Sequence, residues 1–313
     1  MPSARWCGML TGMAKPFAKL LLMLTPKRRW AQFSLATLFV VVTAMCVWLG
    51  AVVNRADRQQ KAVATIKALD GGECHYDYEF DAKGDLDPDA ELPRPEWLRE
   101  SLGVDYLASV VHADLTPHEC KPLALKRLCN LPSLTSLDID GDYPLNAEEI
   151  AAFKSLTGLR ELCVFNASDA FLEVAGGLPN LEVLCISGAE ISEDALRHIG
   201  CMTKLQRLEL FYVDVGDTGL AHLAQLDRLT ELRLWDTRIT DAGLVHLREL
   251  TMLKRLDLGY HAITNAGLMH IHGLTELRYV YVGGLLVTDT GVAQLQNELP
   301  NCEIGKSLSG PRW

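Results

Sequence analysis

Four histidines recur at a fixed interval of 24 residues, and imidazole is a common ligand of zinc. They are His198, His222, His246 and His270. If these side chains stacked in space, they could hold a metal ion between them. The alternative is a structural role, because each histidine lies on the outer helix of a repeated unit, where neighbouring helices diverge. The sequence favours the structural role, so we predict no metal site and no cofactor.

An acidic segment lies between Asp81 and Glu91. Its carboxylates belong to Asp81, Asp85, Asp87, Asp89 and Glu91. Carboxylates are ligands that Ca²⁺ prefers, but the ligand spacing of an EF-hand loop is absent. We interpret the segment as a solvated loop.

The sequence contains no nucleophile–base motif, no phosphate-binding loop and no dinucleotide fingerprint. We therefore predict no catalytic residue and conclude that the protein is not an enzyme. Its formal net charge is −10, and residues 1–53 carry six Lys and Arg without any acid, which leaves −16 for residues 54–313. Because phosphate contacts need a basic surface, this balance argues against nucleic acid as a partner.

A repeated unit must position any functional side chain. Its clearest copy runs from Leu229 to Leu250, and leucines open five successive units at a strict spacing of 24 residues: Leu181, Leu205, Leu229, Leu253 and Leu277. Two less regular units open at Leu134 and Leu159. Apolar residues at positions 1, 4 and 6 predict a strand, and apolar residues at three-residue steps then predict a helix. No unit could bury its apolar side alone, so the units must stack into a solenoid.

The line from Ile239 through Thr240, Asp241, Ala242, Gly243 and Leu244 to His246 and Leu247 resembles leucine-rich repeats of the ribonuclease-inhibitor and cysteine-containing types. The layout over about residues 30–305 is similar to uncharacterised bacterial proteins with one N-terminal anchor and such repeats. The resemblance implies an α/β horseshoe with a concave parallel sheet and convex helices, and it implies no chemistry. One departure is position 9, where the usual asparagine ladder is replaced by Val213, Thr237, His261 and Leu285.

The start of each outer helix carries its own signals. Thr240-Asp241, Thr264-Asn265 and Thr288-Asp289 stand at these starts. A threonine there can cap orphan N–H groups, and an acid suits the positive end of the helix. A column of glycines predicts a close approach between each helix and the next coil: Gly219, Gly243, Gly267 and Gly291.

Residues 33–53 form an apolar run of 21 residues without a charge, which at about 1.5 Å per residue spans a hydrocarbon core of about 30 Å. Lys27, Arg28 and Arg29 precede it, so the positive-inside rule places the N-terminus in the cytoplasm and the repeats on the outer side. The rival is a cleaved signal peptide, but the run is long for one and no cleavage site is obvious.

The anchor and the repeats divide the chain into five predicted parts. Residues 1–32 are a basic cytoplasmic tail, 33–53 the transmembrane helix, 54–103 a stalk and N-terminal cap, 104–305 the repeats, and 306–313 a C-terminal tail. The cap combines a helix over residues 57–69 with a strand over residues 74–80 and would cover the apolar end of the first coil. A short helix that starts with Pro95 as its first residue follows.

Nine cysteines at irregular spacing, without a Cys-x-x-Cys pair, indicate neither a zinc site nor a redox motif. Most are expected to fill buried positions. Cys163 and Cys185 both occupy position 5 of adjacent units, so they should be neighbours on adjacent strands. A disulfide between them remains an alternative if the repeats lie in an oxidising compartment.

Positions 3, 5 and 7 of each strand should point out of the concave sheet. Charges of alternating sign occupy positions 3 and 5, which is typical of a solvated ladder. Aromatic side chains beside an arginine are also what a protein-binding hot spot uses. We predict a binding face at Phe211, Arg233, Trp235, Tyr279 and Tyr281. The rival interpretation is that these rings only pack on one another.

The sequence thus predicts a single-pass membrane protein whose repeats bind a protein partner without catalysis. The alternative is a substrate-recognition subunit of a ubiquitin ligase, which this repeat type often serves. That role requires an F-box-like helical segment before the repeats, where this chain has its apolar run.

Overall fold

The computed structural model describes ten stretches of the chain. They are residues 35–68, 72–81, 85–87, 89–93, 95–115, 122–129, 131–141, 144–259, 262–283 and 286–306. The predicted tail over residues 1–32 lies outside these residues, and so does the predicted tail over residues 306–313 apart from Lys306. The helices are α1 (Leu35–Ile66), α2 (Glu96–Leu102), α3 (Pro122–Leu128), α4 (Ala147–Ala152), α5 (Asp169–Ala175), α6 (Leu196–Gly200), α7 (Asp217–Ala221), α8 (Asn265–Leu268) and α9 (Asp289–Glu298).

The strands are β1 (Gly72–Tyr76), β2 (Val110–Leu115), β3 (Ser136–Ile139), β4 (Glu161–Phe165), β5 (Val183–Ser187), β6 (Arg207–Phe211), β7 (Glu231–Trp235), β8 (Arg255–Gly259), β9 (Tyr279–Tyr281) and β10 (Glu303–Gly305). Short 3₁₀ helices occupy Asp77–Glu79, Val104–Tyr106, Phe153–Ser155, Glu193–Ala195 and Gly243–Glu249.

The strands form one sheet in chain order from β1 to β10. Strands β2 to β10 are parallel, and equivalent repeat positions face each other, as at Leu208 with Leu232 and Leu210 with Leu234. Positions 1, 4 and 6 of the strict units are buried, as are the apolar helix residues at three-residue steps, apart from the half-buried Val292. The predicted leucine-rich solenoid is confirmed.

Strand β1 runs antiparallel to β2 at the edge of this sheet. It is shorter than the predicted strand over residues 74–80, because Tyr76 already pairs with Val110, the first residue of β2. Ala62 and Ile66 at the end of α1 are buried, and Gln59 accepts a hydrogen bond from the backbone N–H of Val110 at 3.2 Å. The helix end and β1 thus occupy the place where the sequence predicts a cap.

Helix α1 is longer than the apolar run predicted from the sequence. It continues without a break from Leu35 to Ile66 and joins the predicted anchor to the predicted stalk. Its stretch Thr37–Ile66 is long and apolar enough to cross a membrane, with a mean hydropathy of 2.1 over its most apolar window. A signal sequence would share this length and composition.

Two compact units divide the chain. One comprises Met1–Arg58 and Tyr78–Ser109, and the other Gln59–Asp77 and Val110–Trp313. In the first, α2 begins at Glu96 with Pro95 as its N-cap, one residue later than predicted, and ends before Gly103, whose φ is +94°. The domain boundaries given by the sequence stay a prediction.

A ladder of hydrogen bonds joins successive units at the start of each outer helix. The carboxylate of Asp217 accepts from the backbone N–H of Thr240 at 2.8 Å and from its hydroxyl at 2.6 Å. The same arrangement recurs at Asp169 with Ser192 and at Asp241 with Thr264. At Asn265 the amide oxygen accepts from the backbone N–H of Thr288, and the amide N–H donates to the hydroxyl of Thr288. Thr264 and Thr288 also cap their own helices, as Thr264 does by accepting from the N–H of Ala266 at 3.1 Å. Thr240 does not, because the 3₁₀ helix after it has Ala242 as its N-cap.

The glycine column makes room for this ladder. A Cβ at Gly243 would lie 2.4 Å from Oδ1 of Asp217, and a Cβ at Gly267 would lie 2.2 Å from Oδ1 of Asp241. The predicted close approach is confirmed: the acid of the preceding unit is nearest at Gly243 and Gly267, the amide of Asn265 at Gly291, and a methyl group of Leu196 at Gly219.

Candidate protein-binding face

Odd-numbered strand positions lie on the sheet face opposite the packed core. In β6, for example, Leu208 and Leu210 are fully buried, whereas Arg207, Glu209 and Phe211 keep exposed area. We call the surface formed by positions 3, 5 and 7 the open face. It carries all five residues that the sequence assigns to binding.

An aromatic layer crosses four neighbouring strands of the open face. The Trp235 ring stacks on Tyr281 with centroids 5.9 Å apart and planes inclined by 17°. Phe211 meets the same indole edge-on at 6.4 Å. The indole reaches from β7 to β9 because β8 has Gly259 at position 7, where a Cβ would lie 3.0 Å from the ring. Phe211, Trp235 and Tyr281 are therefore one packed unit.

The aromatic layer is fixed from beneath by a buried carboxylate. The indole N–H of Trp235 donates to Oδ1 of Asp257 at 2.6 Å. Burial raises the pKa of Asp257, and the Trp235 hydrogen bond with the charges of Arg255 and Arg233 opposes that shift. Tyr281 is only 5% exposed. It supports the indole and offers little surface of its own, whereas Phe211 and Trp235 are half-buried.

Charged side chains surround the rings in the alternating pattern that the sequence predicts. Arg233 contacts Glu209 at 3.1 Å and Glu231 at 3.8 Å, and Arg207 contacts Glu231 at 2.9 Å. The guanidinium of Arg255 lies 4.4 Å from the centre of the Tyr279 ring, a cation–π contact. Partly exposed ion pairs of this kind contribute about 0–1 kcal/mol each, so their main effect is to hold the arginines in place.

Sequence reasoning located the rings but missed Asp257 and Gly259. The available signal was Gly259 itself, since a missing side chain at position 7 beside Trp235 leaves space for the indole. Phe165, which shares position 7, is separate from the layer and packs over Gly188, where a Cβ would lie 2.7 Å from its ring.

The N-terminal part of the open face has a different chemistry. Position 5 aligns Asp114, Asp138, Cys163 and Cys185 on β2 to β5. They line a pocket of about 460 Å³. Burial and the neighbouring Asp138 raise the pKa of Asp114. A hydrogen bond with Cys185, together with burial, raises the pKa of Cys163.

The recurrent histidines lie on the outer helices, half-buried. Their backbone takes part in packing between units: a Cβ at Gly200 would lie 2.2 Å from the carbonyl oxygen of His222, and one at Gly176 lies 2.9 Å from that of His198. Within the described stretches, no three His, Cys, Asp or Glu side chains are grouped so that they could hold a metal ion.

Residues 249–271 match the family model described as Leucine Rich repeat, over the turn, strand and helix start that the structure repeats. The chain thus folds as a leucine-rich-repeat solenoid. Among solved structures, the protein is similar to an internalin (inlF) from Listeria monocytogenes, with 20% identity, a TM-score of 0.41, and coverage of 63% of this chain and 67% of that one. It is also similar to internalin C2 (inlC2) from the same species, with 17% identity, a TM-score of 0.48, and coverage of 65% and 86%. No curated protein matches the sequence.

Proposed function

We propose that this leucine-rich-repeat protein is anchored in a membrane and binds a protein partner through the aromatic layer of its open face. One observation supports the proposal above others: Phe211 and Trp235 keep exposed area while being held rigidly by Tyr281, Asp257 and each other. Rings fixed before binding lose little conformational freedom in a complex, which is why binding hot spots are rich in tryptophan and tyrosine.

Arg233 and Tyr279 complete the proposed contact surface at its two sides. Arg233 is held by Glu209 and Glu231, and Tyr279 lies under the guanidinium of Arg255. A charged border around a ring layer would exclude water from the contact and set the orientation of the partner. We propose no catalytic step at the aromatic layer, because its acids and arginines hold one another or the indole.

The topology is part of the proposal. Lys27, Arg28 and Arg29 precede the apolar run, and short basic segments stay in the cytoplasm. The repeats would then face the outer side, as a single-pass protein with a cytoplasmic N-terminus. The ubiquitin-ligase alternative gains no support, because the apolar part of α1 lies where an F-box-like segment would be needed.

Site-specific photo-crosslinking of the full chain in its membrane tests the binding face. The photoreactive analogue p-benzoylphenylalanine replaces Phe211 in one sample. In the matched control it replaces Met269, which is 41% exposed on the helix side. We expect a discrete protein adduct from position 211 and none from position 269.

A second variant tests the aromatic layer itself. Trp235→Ala, combined with the analogue at position 211, should abolish the adduct while the far-ultraviolet circular dichroism of the chain stays unchanged. Adducts of equal yield from both positions, or an adduct only from position 269, would move the binding surface away from the open face.

A further inference from the structure

Cys163 and Cys185 face each other across two neighbouring strands. They are paired in the register of β4 and β5, next to the pairs Leu162 with Leu184 and Val164 with Ile186. Neighbouring strands lie about 4.8 Å apart, which is within the Cα separation of about 4.4–6.8 Å that a disulfide spans. Because the two residues are paired in register, their side chains lie on the same face of the sheet, where both line one pocket.

This pair differs from the other thiols that the structure describes. Cys74 and Cys302 are buried, Cys201 is exposed, and the thiol of Cys129 donates to the carbonyl oxygen of Ala152 at 3.1 Å. Cys163 and Cys185 alone among the seven described cysteines are partners in the strand register. Both are half-buried and line the open-face pocket, which a small disulfide reagent or the exposed active site of an oxidoreductase can enter.

We propose that Cys163 and Cys185 form a disulfide across β4 and β5 when the repeats are in an oxidising compartment. The inference rests on the proposed placement of the repeats outside the cytoplasm, because cytoplasmic thiols are kept reduced. The structure shows both thiols free, which is the reduced form of the pair.

The oxidation proceeds by thiol–disulfide exchange with a disulfide of a small thiol or of a dithiol oxidoreductase. One cysteine loses its proton and its thiolate attacks the oxidant disulfide, which forms a mixed disulfide and releases one thiolate. The second cysteine loses its proton and attacks the mixed disulfide at the first protein sulfur, which closes the protein bond and releases the second thiolate. Two protein thiols are oxidised, and the oxidant is reduced to two thiols.

The surroundings of the pair set its rate. The pKa of Cys163 is raised by its hydrogen bond with Cys185 and by burial, and the nearby carboxylate of Asp138 adds to this. Only the thiolate attacks a disulfide, so the uncatalysed exchange should be slow at neutral pH and faster at higher pH. Carboxylates of the same pocket, Asp114 and Asp140, also disfavour a thiolate there.

The sequence provides a direct readout. Trypsin cleaves after Arg160 and Arg197 but nowhere between them, so one peptide over residues 161–197 contains both cysteines and no other. The disulfide form of this peptide is lighter by two hydrogen atoms. It accepts no alkyl group until it has been reduced, and it then accepts two.

The first arm measures the pair alone. The full chain in detergent micelles is incubated with oxidised glutathione, quenched with acid, alkylated and digested. We expect the doubly alkylated peptide to fall at least tenfold relative to a reduced sample. The matched variant Cys163→Ser should instead retain glutathione on Cys185. Wild-type chain that stays alkylatable, or carries glutathione on the two cysteines separately, would overturn the inference.

The second arm uses chain isolated directly from the membrane of the cells that make it, with acid quenching before lysis. The same tryptic peptide should be in the disulfide form. If the pair closes in micelles but is reduced in the cell, the placement of the repeats in the proposed function fails and the chemistry of the pair stands. If it closes in neither sample, the inference itself is wrong.

Discussion

At the scale of single residues, Trp235 holds the side chains of the aromatic layer in place. Its indole N–H satisfies the buried carboxylate of Asp257 at 2.6 Å, while its ring connects Phe211 to Tyr281. Replacing Trp235 by Phe keeps a ring but leaves the carboxylate without that donor. We expect a loss of about 1–3 kcal/mol in the free energy of unfolding at pH 7, the usual cost of an unsatisfied buried group.

The loss on Trp235→Phe should depend on pH with a definite sign. Burial raises the folded-state pKa of Asp257, so its contribution to stability is present below the unfolded pKa and is lost as pH rises through the folded one. Without the indole donor the pKa of Asp257 in the folded state rises further, so the loss in unfolding free energy at pH 7 grows. The variant should therefore differ less from wild type at pH 4 than at pH 7. Urea titrations followed by circular dichroism measure this difference, and a deficit that is equal at both pH values would contradict the role given to the hydrogen bond.

The sequence predicts which rings share the open face, because position 7 is fixed by the repeat. It does not predict that Tyr281 is buried under Trp235, since the direction in which the indole leans depends on the space above Gly259. The alternating charges likewise predict a solvent-exposed Asp257, because the sequence does not show that the indole leans over it. Its burial follows from the ring above it and not from its own position.

At the scale of elements, the ladder at the helix starts joins one unit to the next. Asp241 accepts two hydrogen bonds from Thr264, at 2.8 and 2.6 Å. Because hydrogen bonds to a charged group contribute about 1.5–3 kcal/mol each, Asp241→Ala should lower the free energy of unfolding by about 2 kcal/mol or more. The matched control is Asp214→Ala, which removes an exposed ion pair with Arg238 and should change stability by less than about 0.5 kcal/mol. Similar losses of unfolding free energy in the two variants would show that the ladder stabilises the stack of units no more than an exposed ion pair does.

The periodic part of each element could be predicted from the sequence, whereas the partner of each acid could not. Threonine caps follow from local chemistry, and the structure confirms them at Thr264 and Thr288. The acids were assigned to their own helix ends. The carboxylate of Asp241 instead binds Thr264 one unit later, and that of Asp289 binds Lys306. Both contacts depend on how the coils stack.

At the scale of the whole molecule, α1 joins an apolar segment to a solenoid. The proposed topology predicts that Cys201, an exposed thiol of the repeats, reacts in intact cells with a maleimide that cannot cross membranes. The label is read on the tryptic peptide over residues 198–204, with Cys201→Ser as the control. Labelling only after the membrane is permeabilised would show that the repeats lie on the cytoplasmic side. Labelled protein in the soluble fraction would indicate a cleaved signal sequence.

The overall architecture was readable from the sequence because a strict repeat leaves few ways to bury its leucines. The repeat does not specify the segments before it. It therefore indicates neither that α1 continues through residue 54 nor that β1 ends at Tyr76, where its pairing with β2 ends.

The most direct test of the central claim is the dissociation constant of the partner captured at position 211, measured for the full chain in micelles. Wild type is compared with Phe211→Ala and with Met269→Ala on the helix side. Truncation of a hot-spot ring costs about 2 kcal/mol or more, so Phe211→Ala should weaken binding by about thirtyfold and Met269→Ala by less than about twofold. Equal affinities for the two variants, or a larger loss at Met269, would contradict binding through the open face.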